Sequence, residues 1–483
     1  MDKESKVDYA KIGLKAGLEI HQQLDTGKLF CACPGYLRND EPDFIVRRKL
    51  HAVAGETGEI DPAVLHEVEK GKEFVYQGYR DNTCLVELDE EPPHLISENA
   101  LNEALKIALL LNCEIYPIAQ IMRKTVIDGS NTSGFQRTVL IGHNGYVETS
   151  FGKVGIETIA LEEDAARIVE KGEKQMIFKL DRLGIPLVEI TTKPEMGTPE
   201  QIKETALKLG EVLRACRVKR GIGTIRQDLN VSIKGHDRVE IKGFQDPRMM
   251  IETVEKEIVR QQTDLKEKKK TGEVRNAKED GTTEFLRPMP GEARMYPETD
   301  LPLLRVSRER ENLLKKQLPK MKHEIRDELK KKGVSEELIN LVIENLDEFN
   351  VLTKVYEKDA NLVAKMITLW RSEFASKLKK SLEEIKAALN ESMLERVLEK
   401  LGEGKISEGD VKEVLFKVAS GEGLESALKV EKLGDDELEK KISDIIKEKP
   451  GLRGNAYMGL VIAKLGTSVD KRKAMEILNR IAK

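Results

Sequence analysis

The chain contains no apolar run approaching the roughly 20 residues that a membrane-spanning helix needs. Its first residues, Met1-Asp2-Lys3-Glu4-Ser5-Lys6, lead into no signal-peptide core. A cytoplasmic protein with no membrane partner is therefore expected. Cysteine is scarce: Cys31, Cys33, Cys84, Cys113 and Cys216 are the only five in 483 residues, too few and too scattered for a disulfide framework. A surplus of one charge is missing too. Charged residues make up 34% of the chain, yet the formal net charge is only -4, so nucleic-acid binding must rest on a local patch. Proline almost vanishes after Pro302, with only Pro319 and Pro450 of the 16 remaining, which leaves the C-terminal part free to be helical.

What is present divides the chain. Up to about residue 300, Gly and Pro punctuate short β-branched runs and a few helices, the pattern of an α+β fold on an antiparallel sheet. Glu98 to Asn112 carries Leu101, Leu105, Ala108 and Leu109 at helical spacing. Thr198-Pro199-Glu200-Gln201 supplies an N-cap, a proline at the first helical position and a capping-box partner ahead of Ile202, Ala206, Leu209 and Leu213, with Gly221 ending the helix. Pro247 to Lys270 is expected to form a third helix, and the proline-rich stretch Arg287 to Asp300 an ordered loop rather than a central strand. The expected domains are residues 1–305 on the sheet, an all-α helical domain over 306–412 and an all-α tail over 413–483.

The chemistry starts at Gly17-Leu18-Glu19-Ile20-His21-Gln22-Gln23. Read with period two, Leu18 and Ile20 face one way and Glu19, His21 and Gln23 the other, so a carboxylate and an imidazole reach one ion or substrate. Two later stretches repeat the arrangement. Arg226, Asp228, Asn230 and Ser232 oppose Ile225, Leu229, Val231 and Ile233, and Glu240 and Lys242 oppose Val239 and Ile241. These faces are expected to wall one polar cavity. Glu189 stands alone in the apolar run Ile185 to Ile190, and Leu161-Glu162-Glu163-Asp164 sets three acids in a row. A lone buried carboxylate must be paired or metal-bound. Glu19, His21, Glu163 and Glu189 together would form an oxygen-rich site suited to Mg²⁺ that also holds nucleotide phosphates. Buried salt bridges to Arg123, Lys124 or Arg226 are the alternative.

No standard phosphate loop is present. Arg123-Lys124 does precede a run of small hydroxyl and amide residues, Asp128 to Gln136, able to donate hydrogen bonds to phosphate oxygens. The expected nucleotide-binding set is Arg123, Lys124 and Ser130 with Arg226, Asp228, Asn230 and Lys242. Cys31-Ala32-Cys33 suggests half of a zinc site, with Cys84 and His51 or His94 as completing ligands, but the spacing is incomplete, so free thiols and no bound zinc are expected. From Gly451 to Lys483 seven basic residues stand against two acids. A helix capped by Asp470 is expected there, with Met475, Leu478 and Ile481 inward and Arg453, Lys464, Lys471, Arg472 and Lys473 placed to meet phosphates.

Taken together, Gly17 to Gln23, Lys124 to Arg137, Leu161 to Ala165, Leu180 to Ile190 and Gly223 to Ser232 closely resemble the archaeal E-type subunits of glutamyl-tRNA(Gln) amidotransferase, and more distantly the bacterial B-type subunits. The resemblance covers nearly the whole chain. It implies a kinase-like cradle domain, a helical domain and a tail that contacts tRNA. The implied activity is ATP-dependent phosphorylation of the glutamate carried on tRNA(Gln), followed by amidation with ammonia. Glu19, His21, Glu163 and Glu189 fall at the family's Mg²⁺ positions, and the ammonia would come from an asparaginase-like glutaminase, the D-type partner, in a heterotetramer. One departure stands out: the inserted domain usual in the archaeal family, after the helix ending here near Gln262, is missing. A noncatalytic tRNA-binding scaffold and a free-standing ATP-dependent carboxylate ligase are the competing readings.

Overall fold

The computed structural model describes residues 7–49, 71–126, 128–244, 246–289, 295–428, 435–448, 454–465 and 471–481. Two compact units divide the chain, Met1–Met321 and Lys322–Lys483. Among the described residues, seventeen strands lie in the first. They are β1 (Lys15–Gln23), β2 (Phe44–Lys49), β3 (Glu73–Gly78), β4 (Glu114–Ile115), β5 (Ile118–Ala119), β6 (Met122–Thr125), β7 (Phe135–Thr149), β8 (Gly152–Glu163) and β9 (Arg167–Lys171). Then come β10 (Gln175–Lys179), β11 (Pro186–Thr192), β12 (Ile225–Ser232), β13 (Val239–Phe244), β14 (Glu273–Ala277), β15 (Thr283–Pro288), β16 (Met295–Pro297) and β17 (Leu304–Arg305).

The main sheet has eleven strands in the order β15-β14-β13-β12-β1-β11-β8-β7-β6-β16, with β4 added beside β7. The strand nearest the N-terminus therefore sits in the middle, antiparallel to β11 on one side and β12 on the other. One pair breaks the expected antiparallel pattern: β13 and β14 run parallel. Parallel neighbours need a crossover, and the helix Met249–Lys266 between them is that crossover. A smaller sheet, β2-β3-β10-β9, also holds one parallel pair, β3 with β10. The fold is α+β with an antiparallel-dominated sheet.

The core lies between one face of the main sheet and the helices Glu98–Leu110, Pro199–Ala215, Met249–Lys266 and Arg308–Lys316. Leu18 and Ile20 of β1, Val188 and Ile190 of β11, and Leu229 and Val231 of β12 are all fully buried there. The helix Pro199–Ala215 packs Ile202, Ala206, Leu209 and Leu213 against them, as its spacing predicts. Its Thr198 cap accepts from the Gln201 amide at 3.3 Å, but the Gln201 side chain accepts from Gly197 rather than Thr198, so the box closes one residue early. The helix stops at Ala215, with Cys216 as an extended C-cap, and Arg217 to Gly221 lie beyond it. In the stretch read as a loop, Arg287 and Pro288 end edge strand β15 and Met295–Pro297 form edge strand β16, where proline is tolerated because one side of an edge strand donates no ladder bonds. The helix Arg308–Lys316 buries Leu314 in the same core, and Arg310 bonds Asn102, so this first unit extends past residue 305.

The second unit is helical throughout its described residues. One apolar core runs from Leu329 to Ala427 and a separate one joins the helices Asp435–Glu448, Gly454–Leu465 and Lys471–Ile481. The helix Glu408–Ser420 spans residues 412 and 413, and its Val411, Val414 and Leu415 belong to the first of these cores. Ser381 and Glu384 form a capping box. In the last helix Ala474, Ile477 and Leu478 are the buried stripe, while Met475 and Ile481 are only half-buried; Asp470, expected to cap it, lies outside the described residues.

Candidate active site

The face of the main sheet away from the core is polar because the register stacks its charged residues in rows. His21 lies opposite Glu189 on β11 and Arg226 on β12. Glu19 lies opposite Thr191 and Asp228, and Asn230 lies opposite Gly17 and Glu240. Paired residues on adjacent antiparallel strands share a face, so three sequence-distant strands bring their polar side chains together. His21 Nε2 stands 3.4 Å from Glu189, 3.6 Å from Glu19 and 3.7 Å from Glu162. Glu19, His21 and Glu189 each offer a ligand atom, all within 4.8 Å of one another.

Electrostatics follow from the crowding. Burial and the Glu189 charge push Glu19 above the usual carboxylate range. Burial and Glu189 likewise raise Glu162, to about 7. Burial opposes ionisation of Glu189 as well, but the hydrogen bond and charge of His21, with Lys124, bring it down to about 2. Burial also works against a charged His21, and the three carboxylates outweigh it and raise its pKa. Lys124 is raised in the same way by Glu162, Glu189 and Glu19 against its desolvation. One oxygen of Glu162 is buried without a hydrogen-bond partner among the described residues. A carboxylate-rich cluster with an orphaned oxygen fits a hard divalent cation such as Mg²⁺.

Glu163 does not join this cluster. It points to the other side of β8, where Arg137 donates its backbone N–H at 3.1 Å and its guanidinium lies 3.5 Å away. The expected place of Glu163 is taken by Glu162, because alternation along β8 puts Ile159, Leu161 and Glu163 on one face and Ala160 and Glu162 on the other. Arg123 is also committed elsewhere, to Glu298 and Asp300, with its guanidinium 4.6 Å from the Phe135 ring centre. Ser130 is buried, and its hydroxyl donates to Asp128 at 2.5 Å, so the loop read as a phosphate donor is folded on itself. The remaining residues of that set do line the polar face: Arg226 bonds Asp164 at 2.9 Å, and Lys242 bonds Asp228 at 2.6 Å and pairs with Glu240.

The cysteines form a second constellation. Cys31, Cys33, Cys84 and Glu87 offer ligand atoms all within 4.8 Å of one another, so the site read as incomplete acquires a fourth donor that spacing alone did not mark. His94 is not part of it and pairs with Glu91, and His51 lies outside the described residues. Cys31 lies 2.8 Å from Glu87, and the neighbouring thiols lower Cys84 while bonding within the cluster and burial raise Cys31 and Cys33, so one negative charge is shared over the cluster. The donor set suits zinc. Cys113 and Cys216 are buried core residues.

Of the tail cations, Arg453 lies outside the described residues and Lys471 opens the last helix. Lys464 pairs with Glu448, Arg472 lies 3.7 Å from Glu476, and Lys473 is exposed.

Comparison with known proteins fits this geometry. A family profile described as the GatB/GatE catalytic domain matches residues 14–312, the part that builds the sheet. The E-type subunit of glutamyl-tRNA(Gln) amidotransferase from Methanocaldococcus jannaschii is 36% identical over 634 aligned positions, covering 98% of this chain and 99% of the relative. Its counterpart from Sulfurisphaera tokodaii is 34% identical over 99% of both chains. The one from Thermococcus sibiricus is 54% identical over 279 residues, 58% of this chain and 44% of the relative. Since the 634 aligned positions include only 98% of the 483 residues present, about 160 positions of the Methanocaldococcus relative have no counterpart here, in keeping with a missing insertion. By the profile match and the full-length likeness together, the chain belongs to the GatB/GatE family of tRNA-dependent amidotransferases.

Proposed function

We propose that the polar face of the main sheet uses ATP to activate the side-chain carboxylate of glutamate carried on tRNA(Gln), and that ammonia then converts it to the amide. The observation that carries this reading is the meeting of Glu19, His21, Glu189 and Glu162 beside the cations Lys124, Arg226 and Lys242. A carboxylate is a poor acyl donor at neutral pH. One of its oxygens attacks the terminal phosphorus of ATP, ADP leaves, and ammonia displaces phosphate from the resulting acyl phosphate. Glu19, His21 and Glu189, with the unpartnered Glu162 oxygen, would hold Mg²⁺, which when bound neutralises phosphate charge. The chain's own cations work on the other sides of the cluster, offering fixed positive charge where phosphoryl oxygens gather charge. A noncatalytic scaffold would leave this crowd of buried carboxylates, each costly to desolvate, without a purpose.

Ammonia is assigned to a separate glutaminase of the D type, joined with this chain in a heterotetramer in the cytoplasm. The purified chain, given Glu-tRNA(Gln), ATP, Mg²⁺ and ammonium, is expected to form Gln-tRNA(Gln), whereas glutamine replaces ammonium only once the glutaminase is added. Failure with ammonium contradicts the reading. Glutamine hydrolysis by this chain alone contradicts the division of labour.

The same reading gives the tail a role on the RNA. Replacing Lys464, Lys471, Arg472 and Lys473 by Ala should lower the slope of log affinity against log salt by about 0.7–0.9 for each phosphate no longer neutralised. An unchanged slope would remove the tail from the interface.

A further inference from the structure

The connection from the helix Pro199–Ala215 to β12 is built unlike the loops around it. Between Val212 and Gln227 the sequence carries Arg214, Arg217, Lys219, Arg220 and Arg226 and no acid, on a chain whose net charge is -4. Its tip, Gly221-Ile222-Gly223, leaves Ile222 100% exposed. One exposed isoleucine needs no cover by itself, but this one stands at a loop tip among closely spaced cations, with Arg214, Arg217 and Arg220 exposed beside it. The flanking glycines have φ of 120° and 83°, and a Cβ on either would meet nothing within 4 Å. The tip thus stands clear of the protein in a backbone conformation that disfavours other residues.

The base of the loop is fixed. Val218 bridges Leu24, Lys219 donates its N–H to Gln23 at 2.9 Å, and Gln23 donates to Thr224 at 2.9 Å. The Gln22 side-chain amide donates to the carbonyls of Lys219 at 3.0 Å and Thr224 at 3.1 Å, closing the loop like a clasp. Gln22 and Gln23 immediately follow His21, and Arg226 lies opposite His21. Ile222 is four residues from Arg226, so the tip is at most about 14 Å along the chain from Arg226, the residue opposite His21.

We propose that the loop from Arg217 to Arg226 docks the single-stranded 3′ end of the RNA substrate, its cations meeting phosphates and Ile222 packing under an unstacked base. The inference rests on the amidotransferase reading and deepens it by naming what holds the aminoacyl end at the site. An exposed apolar tip flanked by closely spaced cations matches a ligand that alternates flat apolar faces with phosphates, and single-stranded nucleic acid is that ligand. Two positive-φ glycines let the tip adjust to the base while the Gln22 clasp keeps the loop beside His21.

The test is binding of an uncharged acceptor-stem minihelix, with its single-stranded 3′ end or trimmed blunt, to the full chain. The unsubstituted chain should bind the tailed form roughly tenfold more tightly than the blunt one. Ile222→Ser should remove several-fold of that preference. Arg217→Ala with Arg220→Ala should remove most of it and lower the salt slope for the tailed form by about 1.4, two single-strand phosphate contacts. ATP affinity measured on the same variants should be unchanged. Equal binding of tailed and blunt RNA by the unsubstituted chain overturns the proposal, as does loss of ATP affinity in place of RNA affinity, or a protein ligand that competes with neither RNA yet needs Ile222. No turnover enters this measurement, so absent amide synthesis would count against the function proposed above and not against the loop.

Discussion

Replacing Glu189 by Gln is expected to cut amide formation at least ~10²-fold, the usual cost of removing one preorganised electrostatic group, while leaving the fold intact. The carboxylate at 189 is the hub of the cluster. It stands 3.4 Å from His21, and it is the acid that the surrounding cations keep ionised while Glu162 is pushed up to about 7. The amide keeps the shape but loses the charge. Mg²⁺ titration should shift to higher concentrations in the variant, and Glu162→Gln should behave alike. Glu163→Gln is the control on the other face of β8, where the Arg137 pairing predicts an effect on stability rather than on Mg²⁺ dependence. An active Glu189→Gln chain with an unaltered Mg²⁺ requirement would make the acids structural.

Glu298→Ala is the substitution expected to cost most stability. Its side chain is fully buried, one oxygen accepting from Arg137 Nε at 2.8 Å and the other from the Asp300 N–H at 3.0 Å and from Arg123. Removing it leaves Arg137, itself 7% exposed, without its closest counter-charge. Breaking a buried pair from one side costs about 3–5 kcal/mol, because the remaining ion keeps its desolvation penalty. Glu284→Ala, which loses only the exposed pair with Lys278, should change thermal unfolding little. The pH dependence follows from sign. Burial alone would raise the Glu298 pKa, but Arg123, the Asp300 N–H and Arg137 pull it below the ordinary carboxylate range. The stability it contributes is therefore present above that range and lost as pH falls through its lowered folded value. A Glu298→Ala chain that melts with the unsubstituted one at neutral pH would show the network to be dispensable.

Much of the polar face was legible because strand alternation is local. Leu18 and Ile20 against Glu19 and His21, or Leu229 and Val231 against Asp228 and Asn230, need no knowledge of partners. The choice between Glu162 and Glu163 was not, although the signal was there: the apolar positions Ile159 and Leu161 lead to Glu163, so the site-facing acid had to be its neighbour. Reading three acids in a row as one unit hid that parity. Glu87 escaped notice for a different reason. It reaches the cysteines through a turn, Cys84 to Glu87, which brings a carboxylate back onto the Cys84 backbone N–H at 2.7 Å, and no periodicity predicts such a return. The commitments of Arg123 and Ser130 were equally invisible, since they depend on Glu298, 175 residues away, and on a loop folding on itself. The C-terminal helices were foreseeable from missing proline, but where one core ends and the next begins depends on packing between helices, which sequence spacing does not report.

The central position of β1 has a consequence in time. A strand made among the first residues is flanked by β11 and β12, whose residues end at Thr192 and Ser232. At a synthesis rate of about 5–20 residues per second, its apolar face waits roughly 10–40 s for its second neighbour. Until β11 is made, Leu18 and Ile20 have no sheet to join, and both strands that pair with β1 are distant in sequence, which slows folding further. His21 and Glu19 travel on the same strand, so the polar face cannot be assembled until about half of the 483 residues have been made. A nascent chain stalled before residue 232 would carry an unsatisfied strand and no site, and is the species on which a holding chaperone would be expected to act.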